Sequence, residues 1–218
     1  MMKVSLLQPF LLALAVVHVA HGYGNGPPVD ACTSMYPEGH HVNAQTSTPP
    51  YELTVSSNTV QLGENVTVTL KMKTDHDPAY PYFEGMFVQA RMANCMSDLP
   101  IGTFTVPDND SFLRVMDCHE LRPMSAVSHK DHTHQIEKTF TWTAPTTEPG
   151  RIYFRATVVK NTETFWTNVY SPYLTDATDD SNVPENYCEV QSTVGSASSL
   201  AAVTSLVVAT VITSLQFF

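Results

Sequence analysis

The sequence predicts an all-β fold: an antiparallel β-sandwich of immunoglobulin-like kind, built as a single domain with disulfides. Three observations predict it. Apolar and polar residues alternate over many short stretches, and turn residues punctuate those stretches. No stretch between residues 30 and 190 holds a helical period. The four cysteines, Cys32, Cys95, Cys118 and Cys188, are even in number, which in a secreted chain reads as two disulfides.

The elements follow in order. Residues 23–50 are rich in Gly, Pro, Ser and Thr and read as an extended arm. Tyr51 to Val55 is a candidate strand. From Val66 to Met72 the apolar residues fall at every second position, with Thr and Lys between, as in a strand with one face buried. Asp75 to Tyr82 is an acidic, aromatic insertion between strands. In Gly85 to Arg91, Met86, Val88 and Ala90 share one face, and Phe87, Gln89 and Arg91 share the other. Gly85 suits a bulge or a close backbone approach. Ile101 to Val106 is a further candidate. Ile136 to Trp142 repeats the alternation with one blemish, Lys138, and Trp142 is expected at the centre of the sandwich. Pro145 stops that strand by removing a ladder donor. Ile152, Phe154, Ala156 and Val158 alternate again, and Phe165 to Tyr170 closes the series. The uneven spacing and long loops favour a sandwich over a barrel.

The two ends lie outside this fold. Residues 1–22 hold Lys3, an apolar run from Phe10 to Val17, and small residues before a cut after Gly22, the layout of a signal peptide. The domain is therefore expected over 23–175. Residues 176–195 form an acidic, polar stalk. Residues 196–218 form a charge-free hydrophobic tail behind small residues, which is the layout of a glycolipid attachment signal with Gly195 or Ser196 as the attachment residue. A C-terminal membrane span is the alternative. Either way the protein is expected outside the cell, held at its surface. Asn65 and Asn109 head glycosylation sequons, in keeping with that route.

The formal charge is −10, which argues against nucleic acid and against a heparin-type partner needing a basic patch. No catalytic constellation stands out. His119-Glu120 opens like a zinc-protease motif, but Pro123 stands where the second histidine belongs. His129, His132 and His134 form a His-rich loop with residue types that suit zinc or copper, yet their spacing does not fix a tetrahedron, so a solvated loop is the expected role. Trp166, Tyr80 and Tyr82 are the aromatic candidates for ligand contact, with core packing the competing role for Trp166.

Several of these segments together resemble the reeler (reelin N-terminal) domain family, in its stand-alone insect defence-protein type. The resemblance rests on Cys32, Pro49 to Leu53, Gly85 to Arg91, Ile101 to Phe104, Cys118, Ala126 to His129, Trp142 to Pro145, Phe154 to Val158 and Phe165-Trp166. It covers about residues 30–172. It implies a Cys32–Cys118 bridge tying the arm to the sandwich, which leaves Cys95 for Cys188. It also implies a non-catalytic, cofactor-free binding role in innate defence, with microbial surface glycans or lipopolysaccharide as partners. Adhesion or matrix interaction is the alternative. The insertion at 75–82, the second cysteine pair and the tail depart from a small soluble member.

Overall fold

The structure, a computed structural model, describes residues 23–75, 77–93, 98–120, 122–147 and 150–176. The expected signal peptide, stalk and tail lie outside these residues, as do Cys95, Cys188, Gly195 and Ser196.

Eleven strands are described: β1 (Tyr51–Val55), β2 (Thr59–Val60), β3 (Asn65–Met72), β4 (Gly85–Met92), β5 (Thr103–Thr105), β6 (Leu113–Met116), β7 (Ala126–His129), β8 (Glu137–Thr143), β9 (Ile152–Asn161), β10 (Thr164–Tyr170) and β11 (Thr175–Asp176). They form a four-stranded sheet, β1-β3-β8-β5, and a five-stranded sheet, β10-β9-β4-β7-β6. Both sheets are antiparallel throughout, and a short parallel β11–β2 pair closes one side.

The four-stranded sheet has one wet face and one dry face. Val66, Val68 and Leu70 of β3 point into the core, and the intervening Thr67 and Thr69 do not. On β8 the inward row runs Lys138, Phe140, Trp142. Ile136 was expected in that row but lies before the strand and is 67% exposed. The blemish has a local remedy: Lys138 Nζ reaches the Asp110 carboxylate at 2.9 Å and lies 5.3 Å from the centre of the Phe112 ring. Its charge is paired while its stem covers apolar surface. Trp142 is fully buried, packs edge-on against Phe154, and donates its indole N–H to the Ile101 carbonyl at 2.9 Å. Burying so large a ring without satisfying that donor would cost roughly 1–3 kcal/mol.

The central strands of the five-stranded sheet, β9, β4 and β7, are buried on both faces. Met86, Val88 and Ala90 face the sandwich core with Phe154, Ala156 and Val158. The opposite face of β4, with Phe87, Gln89 and Arg91, is also buried, because the N-terminal arm lies across it. A second apolar cluster forms there from Cys32, Met35, Phe87, Met116, Cys118 and Ala126. A disulfide joins Cys32 to Cys118 and bolts the arm to the sheet.

Polar groups under the arm are matched to its carbonyls. Gln89 Nε2 and Arg91 Nη2 donate to the Cys32 carbonyl at 3.0 and 2.9 Å, and Arg155 Nη2 donates to the Ser34 carbonyl at 3.0 Å. Thr157 Oγ1 donates to the Met35 carbonyl. Burial, with Arg155 close by, pulls the Arg91 guanidinium down to about 10, still charged at neutral pH. The arm is thus neither a strand nor a loose tail. It is a fitted cover with two short 3-10 turns, Val29–Cys32 and Glu38–His40.

Four strands, β2, β6, β7 and β11, lie outside the expected set. β6 and β7 were not anticipated as strands, since neither Leu113–Met116 nor Ala126–His129 alternates cleanly. β7 sits between β4 and β6 with both faces covered, so its sequence carries no polar-out signal. Of Ile101 to Val106, Thr103–Thr105 is strand.

Candidate functional site

The arm does not seal the whole outer face. Between its first turns and the strands β4 and β9 lies a cavity of about 470 Å³. Met35, Phe87 and Val159 form its apolar floor, and His40 and His129 stand in its walls. Such a volume falls within the range of small-molecule pockets.

His129 belongs to this wall and not to a polar loop, which corrects the sequence reading. It ends β7, and its ring turns back over Gly85. Nδ1 lies 3.2 Å from the Met86 nitrogen and 3.1 Å from the Met86 carbonyl oxygen, and Nε2 lies 3.2 Å from the Tyr23 carbonyl. With its proton on Nε2 the neutral ring accepts the Met86 N–H and donates to Tyr23. Burial lowers the His129 pKa against the opposing pull of the Met86 and Tyr23 carbonyls, and Arg114 lowers it further. Gly85 suits the tight space here: a Cβ at this position would lie 3.1 Å from His129 Cε1 and 3.2 Å from Val159 Cβ, closer than ordinary contact. Gly26 answers the same demand in the arm. Its φ is +92°, and a Cβ would meet the His129 carbonyl oxygen at 2.3 Å.

His40 holds the other side. Its Nδ1 pairs with the Thr162 carbonyl at 2.9 Å, and its ring stands edge-on to Phe165. Burial again lowers its pKa, outweighing the Thr162 carbonyl.

Beside the cavity lies a partly exposed ledge. The Tyr82 and His134 rings stack with centroids 3.5 Å apart and planes 8° apart. His134 Nε2 reaches the Glu84 carboxylate at 3.1 Å, and Glu84 also lines the cavity. Lys160 Nζ lies 5.9 Å from the Tyr80 ring centre and 5.8 Å from that of Tyr82. Tyr80 in turn packs edge-on against Trp166.

The aromatic candidates therefore separate. Tyr80 and Tyr82 reach the surface, whereas Trp166 is 1% exposed and donates its indole N–H to Ser47 Oγ at 3.2 Å. Trp166 is a core residue, because Tyr51 and Tyr80 both wedge edge-on against its ring. The three histidines separate too. His129 is committed to backbone, His134 to Tyr82 and Glu84, and His132 to the cavity rim. Among the described residues no group of three or more His, Cys, Asp or Glu could hold a metal ion.

His40, Glu84 and Lys160 were missed in the sequence. No short-range signal marks them: His40 meets Thr162 across 122 residues, and His134 meets Glu84 across 50. The sequon asparagines Asn65 and Asn109 are both exposed, and Asn65 Oδ1 accepts the Thr143 hydroxyl at 2.7 Å.

Comparison with known proteins places this architecture. The family model for the reeler domain matches residues 30–182. "Putative defense protein Hdd11" of Hyphantria cunea is 36% identical over 155 residues, covering 70% of this chain and 87% of that protein. "Putative ferric-chelate reductase 1" of Danio rerio is also 36% identical, over 154 residues, but the match covers 25% of that longer protein. A crystal structure of the human F-spondin reeler domain is 19% identical, with a TM-score of 0.49, covering 62% of this chain and 93% of that one. By the extent of the family match, the chain belongs to the reeler domain family.

Proposed function

We propose that this chain is a non-catalytic, defence-related binding protein, displayed outside the cell on a membrane tether, that recognises microbial surface glycans or lipopolysaccharide. The names of its insect relatives support the defence assignment. The charge-free tail behind small residues supports the tether.

One observation carries the binding reading: the stack of half-buried Tyr82 on exposed His134, with Lys160 beside it. Stacked rings present flat apolar faces, on which the C–H face of a sugar ring can lie. The Lys160 ammonium adds a donor for sugar hydroxyls or a phosphate. Tyr80 and Trp166 brace the ledge from below, so its geometry is set before a ligand arrives. Recognition of this kind needs no catalytic group.

The direct test is capture by the purified ectodomain of bacteria, fungal glucan, lipopolysaccharide and heparin beads. Binding to microbial polymers but not to heparin supports the reading. Binding to heparin alone would instead favour adhesion or matrix interaction.

A further inference from the structure

The cavity under the arm has a chemical character distinct from the ledge. Its floor is apolar, as described above. Its rim carries three carboxylates, Asp30, Glu38 and Glu84, and no Lys or Arg is among the described residues lining it. Arg114, near His129, is not a lining residue, and its Nη2 donates to the Pro27 carbonyl at 3.0 Å. Tyr23 and Tyr36 add aromatic walls above Phe87.

We propose that this cavity binds a small organic cation, a primary or quaternary amine carried on an apolar body. The floor would take the body. The rim carboxylates and the aromatic walls would take the cationic head, since ring faces attract cations and carboxylates pair with them. The same rim repels a carboxylate or phosphate head, which excludes fatty acids and phospholipid anions as occupants. Burial lowers the pKa of both His40 and His129, outweighing the backbone carbonyls they meet, and so favours their neutral forms.

The site is pre-formed on two grounds. The Cys32–Cys118 bridge anchors the arm at one edge of the cavity. Met35 and His41 hold left-handed backbone, with φ of 55° and 53°, a conformation that non-glycine residues keep where surrounding contacts fix it. This proposal goes beyond the glycan-binding reading and does not depend on it.

The test is calorimetric titration of the glycosylated protein, from a secretory host, with four probes of equal chain length. Octyltrimethylammonium, octylamine, octanol and octanoate are each used below the concentration at which they self-associate. The two cations are expected to bind at least about tenfold more tightly than octanoate, with octanol between. The exposed-arm variant Asp30→Asn/Glu38→Gln should lose about tenfold in cation affinity while keeping its urea midpoint. The methyl resonance of Met35 should shift on titration. Equal or tighter binding of octanoate, cation affinity unchanged in the variant, or no binding of any probe would overturn the proposal. A Tyr82→Ala protein, altered in the ledge and outside the cavity lining, should keep its cation affinity, so failure of the ledge and failure of the cavity are read separately.

Discussion

His129 accepts the Met86 N–H at Nδ1, 3.2 Å away, and so extends the β4–β7 ladder by one bond beyond its last strand pair, Phe87 with Ser128. The opposite ring nitrogen holds the arm at the Tyr23 carbonyl. One imidazole therefore links two strands and the cover that lies on them. Gly85 leaves the space for it.

Replacing His129 by Ala should destabilise the protein by about 1–3 kcal/mol, the cost of orphaning a buried donor and opening a gap. His132→Gln and His134→Gln should each move stability by less than about 0.5 kcal/mol, as exposed substitutions do. Urea unfolding of the three variants gives the comparison. Equal effects at all three positions would contradict the structural role of His129.

Stability should fall on the acid side. His40 and His129 both have folded pKa values below the ordinary 6.5, so the unfolded chain binds more protons than the folded one once the pH drops below that value. Their contribution is complete above 6.5 and is lost as the pH falls from 6.5 toward the folded values. A melting series from about pH 7.5 to pH 5 should show a declining Tm, with a shallower slope in His40→Gln/His129→Gln. An unchanged slope would mean that these imidazoles are not the groups responsible.

The alternation in Val66 to Met72 and around Phe140 and Trp142 was legible because one face of that sheet meets water. The two-faced character of β4 was legible as well, since Phe87, Gln89 and Arg91 were placed opposite Met86, Val88 and Ala90. That both faces are buried was not, because the cover is an arm about 57 residues distant, as with Cys32 and Gln89. The same cover hid β7 and turned His129 from an expected loop residue into a buried one. The ledge was half legible. Tyr80 and Tyr82 stood out by type, but His134, Glu84 and Lys160 join them through folding alone.

The Cys32–Cys118 bridge closes a sequence separation of 86 residues. Removing it should cost about 4 kcal/mol by loop entropy. It should also release the arm, so limited proteolysis should cut near residue 40 in Cys32→Ser/Cys118→Ser and not in the parent. Peptide mapping without reduction should recover a Cys32–Cys118 peptide. A Cys32–Cys188 or Cys32–Cys95 peptide would overturn the pairing.

If the tail directs glycolipid attachment, phosphatidylinositol-specific phospholipase C should release the protein from expressing cells. Retention on cells that release an anchored control would favour a membrane span.

The most direct measurement of the central claim is microbial binding by ledge variants of the purified ectodomain. His134 is exposed and Tyr82 and Lys160 are half-buried at the rim of the fold, so Tyr82→Ala, His134→Ala and Lys160→Ala should each keep the parent's melting temperature to within a few degrees. Each should weaken binding to bacteria or lipopolysaccharide, and the triple variant should lose at least about tenfold in affinity, on the order of 1.4 kcal/mol. Binding by the parent should persist in a chelator. Undiminished binding by a folded triple variant, or binding that a chelator abolishes, would contradict the claim that the Tyr82–His134 ledge recognises microbial surfaces.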